Sequence, residues 1–375
     1  MMVMQGGTRR RAVSLTMAAS AAALALFVAG CGDDEEDGGS ASSSSGDAKA
    51  GKVAVLLPDS KSSVRWESVD RPFLKAAFEK AGVEAEIQNA EGDKSAQQQQ
   101  AEQAITNGAK VLLLVNLDSG SGAAIAANAK SQGVKVIDYD RLTLKGDSDY
   151  YVSFDNEEVG RLQGQGLVDC LEGQSKPAVA VLNGSPTDNN ATLFKKGYDS
   201  VINAKFKSGE WTEVADQSVP DWDNQKALTI FEQMLQKSSN KIDGVLAAND
   251  GLGNAAISAL KQRKLKQTPV TGQDATLQGI QNIVNGDQCM TVYKAIKKEA
   301  DAASALAIAL AKGETPKNVT ESVNNETRDV PSVLLEPVAV TKENIKEYLG
   351  EPDFPKQAEI CAGKLASKCK AAGLS

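Results

Sequence analysis

From residue 52 onward the chain keeps one rhythm: a short apolar run rich in β-branched residues, then an amphipathic stretch that closes on glycine. "KVAVLLP" precedes "RPFLKAAFEKAG", "VEAEIQN" precedes "KSAQQQQAEQAITNGA", "KVLLLVN" precedes "SGAAIAANAKSQGV", and "KVIDYD" ends the series. The apolar runs read as strands, the stretches of helical period as helices, and Gly82, Gly108 and Gly133 as helix stops. Such alternation with short connections specifies a parallel sheet covered on both faces. The rhythm then repeats through "YYVSFDN", "EEVGRLQGQGLVDCL", "AVAVLNG", "ATLFKKGYDSVINA", "WTEVADQSV", "NQKALTIFEQMLQKS", "IDGVLAAND", "LGNAAISALKQR", "PVTGQDA", "LQGIQNIVNG" and "CMTVYKA". A helix, "IKKEADAASALAIALAKG", and a strand, "SVLLEPVAVT", close it. At 375 residues the chain exceeds a single comfortable core. The expected fold is α/β, two doubly wound parallel-sheet lobes of similar size.

The first fifty residues belong to neither lobe. Arg9, Arg10 and Arg11 precede an alanine-rich apolar segment that ends in Val28-Ala29-Gly30-Cys31. This reads as a lipoprotein signal peptide over residues 1–30 with Cys31 as the lipidated residue, through either general or twin-arginine export. Residues 31–51 are acidic and Gly/Ser-rich and read as a solvated tether. The protein is therefore expected outside the cytoplasm, held to the outer face of a membrane through Cys31.

Composition excludes much chemistry. The chain has no histidine, so Ser-His-Asp triads, His-based zinc sites and His general bases are ruled out. It has no phosphate-binding GxxxxGK[ST] loop. Of the net charge of −8, the arginine cluster accounts for +3 and residues 31–50 for −5, leaving −6 on the rest. That balance offers no basic stripe to nucleic acid. No cofactor or metal is expected. Four cysteines remain after Cys31, enough for two disulfides. Cys170, ending a helix, and Cys289, beginning a strand, are both expected at the end of the second lobe away from the cleft between the lobes, where Cys170 can pair with Cys289. Cys361 and Cys369 can bridge only if their segment is not one continuous helix, since eight helical residues would separate them by about 12 Å. The alternative is free buried thiols.

Ligands of doubly wound sheets sit beyond the C-terminal ends of strands, so polar and aromatic residues there are the candidates. They are Arg65 and Trp66, Asp140 and Arg141, Asp188 and Asn190, Trp222, Asn249, Asp274 and Lys294.

The phrases that carry them, "VRWESVDRPFLKAA", "YDRL", "YYVSFDNEEVGRLQ", "GSPTDNNATLF", "IDGVLAANDG", "TGQDATLQGI", "MTVYKAI" and "VPSVLLEPVAVTKEN", resemble the periplasmic sugar-binding proteins of ABC importers, in their D-xylose-binding branch. The likeness runs from about Lys52 to Tyr348 with the phrases in order. "PDSKSSVRW", "NDGLGNAAISAL" and the alanine in "TVYKAI" lean toward the multiple-sugar branch. The resemblance implies two Rossmann-like lobes joined by three crossover strands, near residues 151–155, 291–294 and 334–338. Lobe 1 would comprise residues 52–152 with 294–333, and lobe 2 residues 153–293 with about 334–375. It implies sugar contacts from Arg65, Asp140, Arg141, Asp188, Asn190, Asn249, Asp274 and Lys294, stacking by Trp66 and Trp222, a monomer, and delivery of the sugar to a permease. The residue types suit a sugar: carboxylates and amides meet hydroxyls, guanidinium supplies paired donors, and indole covers C–H faces.

Neighbouring residues read differently. Asp138 is expected to be structural, Asp250 to cap the helix "GLGNAAISAL", Trp211 to pack, and the run of glutamines at 97–100 to face solvent. Gln273 reads equally as a support behind the site or a hinge contact. Competing functions are a glycosidase using Asp140 and Asp274, a transcription regulator of the same fold, and a chemosensory or autoinducer receptor. The first needs one carboxyl protonated beside Arg141 and Lys294, and the second needs a DNA-binding segment where the export signal lies.

Overall fold

The computed structural model describes residues 50–374; the segment read as a signal peptide, Cys31, and all of the segment read as a tether except Ala50 and Gly51 lie outside the described residues. Six strands, β1 (Lys52–Leu57), β2 (Ala85–Asn89), β3 (Ala109–Leu114), β4 (Lys135–Tyr139), β5 (Tyr150–Phe154) and β11 (Asp329–Leu335), form the parallel part of a seven-stranded sheet. The remaining strand, β10 (Glu321–Asn324), joins the β11 edge as an antiparallel hairpin. The order is β10-β11-β5-β4-β3-β1-β2. Helices α1 (Arg71–Ala81), α2 (Lys94–Thr106), α3 (Ser119–Ser131) and α9 (Ile296–Ala311) cover its faces. One core, around Val53, Val55, Phe78 and Leu306, fills one face; a second, around Ala54, Leu56, Ile125 and Val136, fills the other. Burial on both faces explains why these strands are continuously apolar.

The second sheet holds β6 (Ala178–Asn183), β7 (Thr212–Ser218) and β8 (Gly244–Ala247), all parallel in the order β7-β6-β8. Around it lie α4 (Asn156–Cys170), α5 (Asn189–Lys207), α6 (Asn224–Lys237), α7 (Asp250–Gln262) and α8 (Leu277–Asn285). The backbones of α4 and α5 touch at Gly160 and Gly197, where any β-carbon would strike the facing main chain. The expected strand at "PVTGQDA" reduces to one bridge, Val245 to Val270, before the chain turns into a loop over residues 271–276. A pair formed by β9 (Met290–Tyr293) and β12 (Val338–Thr341) completes this lobe.

The chain passes between the sheets three times: after β5, after β9, and at Pro337, which separates β11 from β12. The single strand read over "SVLLEPVAVT" is thus two strands in two sheets, divided where proline removes a ladder donor.

The C-terminal segment packs Tyr348, Phe354 and Ile360 on Tyr293 and α8. It breaks into short helices at Gln357–Ile360 and Ala366–Ala371, and Cys361 and Cys369 are joined across the break with Cα atoms 5.7 Å apart. Cys170 and Cys289 are joined at the far end of lobe 2. Two further expectations fail. The glutamine run is not wholly solvated: Gln97 is fully buried and donates to Val115 O at 2.8 Å, because it shares a helical face with Ala101 and Ala104. Asp250 does not cap α7; Asn249 does, accepting from Leu252 N at 2.9 Å. Among the described residues no helix is long and apolar enough to cross a membrane.

Candidate functional site

All ten strand-end candidates line one pocket, together with Ser62, Ser63, Phe194 and Gln273. Nine are buried and Asp274 is half-buried. They come from both lobes: Arg65 and Trp66 open the helical turn before α1 and Asp140 and Arg141 follow β4 in the lobe of the larger sheet, Asp188, Asn190, Trp222, Asn249 and Asp274 belong to the lobe of the smaller, and Lys294 lies on the crossover after β9.

Asp140 is the centre. Its Oδ2 accepts from Arg65 Nη1 at 2.8 Å and from Lys294 Nζ at 3.3 Å, and its Oδ1 accepts from Asn190 Nδ2 at 3.0 Å. Burial alone would push this carboxyl up, but Lys294, Arg65 and Arg141 more than offset it and hold it at about 2. Asp140 is therefore held ionised near neutral pH. Arg65 is fixed from behind: Nε and Nη2 donate to Asp70 at 2.9 and 2.7 Å, and Nη2 to Glu299 at 2.6 Å. Burial pushes Glu299 up to about 8; Arg65 restrains that rise and Asp140 adds to it.

A second group joins the lobes. Arg141 Nε lies 3.1 Å from Asp188 Oδ2, which also accepts from Trp222 Nε1 at 3.0 Å. Asp188 Oδ1 caps α5 through Asn190 N at 2.9 Å. Asp188 and Asn190 thus have structural duties besides facing the cavity. The edge of Trp222 lies against Gly184, and its ring meets Phe194 edge-on at 6.3 Å. Trp66 carries the Arg65 guanidinium 4.3 Å from its ring centroid and donates to Ser62 Oγ at 3.2 Å.

Asp274 differs from the other two carboxylates. No cation lies within ion-pair distance among the described residues; Ser63 Oγ stands 3.4 Å away and the Gln273 amide beside it. Burial raises its carboxyl above the usual range, although Lys294 and Arg65 pull it down. Among the described residues its oxygens accept only from the Ser63 hydroxyl and the Gln273 amide, both neutral. Asp138, by contrast, is fully buried and accepts from Thr143 N, Thr143 Oγ1 and Ser148 Oγ at 2.7 to 2.8 Å, clear of the cavity. Trp211 packs edge-on against Phe206.

Sequence reading missed Ser62, Ser63 and Phe194 at the wall, and Asp70 and Glu299 behind Arg65. Glu299 left a signal: it lies on the same helical face as Ala303 and Leu306, an acid where only apolar residues belong.

A cleft between two doubly wound lobes, lined from both and joined by three crossings, is the architecture of a hinged extracytoplasmic binding protein. Residues 53–315 match the periplasmic binding protein domain, and the chain belongs to that family. It is 38% identical over 314 residues to the D-xylose-binding periplasmic protein of Escherichia coli, covering 84% of this chain and 93% of that one. The D-xylose-binding periplasmic protein of Haemophilus influenzae is 40% identical over 297 residues, covering 79% and 88%. Among solved structures, an ABC transporter solute-binding protein of Clostridium phytofermentans with bound β-D-glucose superposes with a TM-score of 0.76 at 30% identity, covering 82% of this chain and 99% of that one. The family consists of binding proteins, so the glycosidase reading falls.

Proposed function

We propose that the protein captures D-xylose or a closely related aldopyranose in this cavity and hands it to an ABC permease. It acts as a monomer, held by lipid on Cys31 at the outer face of the cell membrane. The observation that carries the reading is convergence: donors and acceptors from both lobes and one crossover surround Asp140, which is held ionised near neutral pH. Such a ligand contacts both lobes at once and so favours their closure. Asp140 and Asp274 accept from hydroxyls, Arg141 and Lys294 donate, and Trp222 offers an apolar surface. Buried charge-assisted hydrogen bonds discriminate epimers, because a misplaced hydroxyl leaves a charged group unmatched.

Calorimetry against xylose, glucose, galactose, arabinose and ribose tests the reading. Xylose should bind most tightly, and Asp274→Ala should weaken it by about 2–4 kcal/mol. A preference for glucose would move the assignment to the other sugar suggested by the solved relatives; binding of none of the five would overturn it. Attachment is tested separately, since Cys31→Ala should fail to take up radiolabelled lipid.

A further inference from the structure

Asp250, freed from the cap it was expected to form, spends its carboxylate elsewhere. It is fully buried at the first position of α7, yet every side-chain partner lies on another segment. Oδ1 accepts from Gln288 Nε2 and Thr291 Oγ1, each at 2.8 Å. Oδ2 accepts from Thr276 N at 2.8 Å and Thr276 Oγ1 at 3.0 Å. Both hydroxyls are themselves acceptors, Thr291 Oγ1 from Ala275 N at 3.3 Å and Thr276 Oγ1 from Gly279 N at 3.0 Å. Their protons therefore point at Asp250, and one carboxylate orients the hydroxyls that pin Ala275 and cap α8. The main chain adds Asp250 N to Gln273 O at 2.9 Å. The fit is close: a β-carbon on Gly272 or Gly279 would collide with the carboxylate.

The loop so held carries Asp274. Asp274 and Ala275 have φ of +99° and +50°, a conformation that non-glycine residues adopt only when their surroundings impose it. The side chain of Asp274 has little to fix it, with Ser63 Oγ 3.4 Å away and the amide of its own neighbour. Its direction must come from the backbone beneath.

We propose that Asp250 is the positioning residue of the binding site: it clamps residues 272–276 in their strained form and so aims the Asp274 carboxylate into the cavity. The inference rests on the sugar-binding reading for its ligand but not for its effect on the loop. Two measurements separate them. Hydrogen exchange on the ligand-free protein should show faster exchange at the amides of Ala275, Thr276 and Gly279 in Asp250→Asn, with the rest of the lobe unchanged. Calorimetry with D-xylose should show Asp250→Asn weakening binding by about tenfold or more, Asp274→Asn doing likewise, and the double variant little worse than Asp274→Asn alone, since residues acting through one another are not additive. Where Asp250→Asn does not fold, Thr291→Val removes the same bridge and should weaken binding, whereas Thr291→Ser, which keeps the hydroxyl, should bind as wild type does. Equal penalties for Asp250→Asn with and without Asp274, or wild-type exchange in the loop, would overturn the proposal. Should the wild type bind no sugar, the sugar reading falls alone, and loop exchange still decides what Asp250 holds.

Discussion

Arg65→Met is the sharpest perturbation available to this site. Methionine keeps most of the length that packs on Trp66 and removes the charge. The guanidinium makes four contacts of 2.6 to 2.9 Å to three carboxylates, those of Asp70, Asp140 and Glu299. Their losses are unequal. Asp140 keeps Lys294 at 3.3 Å and Asn190 at 3.0 Å. Glu299, pushed up to about 8 by burial, loses the guanidinium that restrains that rise and so can take up a proton near pH 7. Asp70, fully buried, is left with only the Tyr139 hydroxyl at 2.6 Å. The variant thus holds one uncompensated buried charge, not three, and removing one partner of a buried pair destabilises by about 3–5 kcal/mol. At 2–4 °C per kcal/mol for a cooperative unit about the size of one lobe, melting of the lobe that holds Arg65 should fall by roughly 6–20 °C. Urea unfolding measures the energy and calorimetry the temperature. Adding Asp70→Asn should restore much of the loss, because it removes the orphaned charge. A loss below about 1 kcal/mol, or no recovery in the double variant, would refute the view that Arg65 exists to neutralise Asp70 and so present Asp140.

Stability should depend on pH in an unusual direction. Burial pushes Asp138 up to about 6; burial and the neighbouring Asp274 push Asp250 up to about 7; burial pushes Glu299 up to about 8. Each binds its proton more tightly folded than unfolded, so its contribution is full below about pH 4 and is lost as pH rises through these values. Asp140, held at about 2, has the opposite sign and withdraws its contribution only as pH falls from about 4 toward 2. The urea midpoint should be higher at pH 5 than at pH 8, and a midpoint that rises between them would contradict the assignment. Gly184→Ala should overpack the Trp222 edge, destabilise by about 1–3 kcal/mol, and weaken sugar binding by displacing the Trp222–Asp188 hydrogen bond. Unchanged affinity in a folded Gly184→Ala protein would remove Trp222 from the site.

The architecture was legible because its signals are periodic. Alternating apolar strands and amphipathic helices gave both lobes, and polar residues after strands converge by topology alone. The misses have a common cause. Whether one residue or its neighbour caps a helix depends on backbone angles that composition does not record, so the cap read for Asp250 falls to Asn249, which also lines the cavity. Whether glutamine on a helix faces water depends on what lies opposite, and Gln97 meets the unpaired carbonyl of Val115. Pro337 was visible, but that it separates two sheets is a property of the whole fold.

The least legible feature lies at the cavity itself. Asp140, Trp222 and Asp274 have φ of +63°, +54° and +99°, and none is glycine. Nothing in a one-letter string marks such residues, since local propensity argues against the angles they adopt. In each case a buried polar contact accompanies the left-handed residue: Ser153 Oγ and Asn190 Nδ2 bond the Asp140 carbonyl, Asp188 bonds Trp222 Nε1, and Asp250 bonds the loop beyond Asp274. These three side chains are therefore aimed by backbone conformations that would relax if left alone. Glycine at these positions would relieve the strain but would remove the carboxylate or indole the cavity needs. The sequence keeps the functional side chain and supports its strained backbone with a second polar residue placed nearby in space and often far away in the chain.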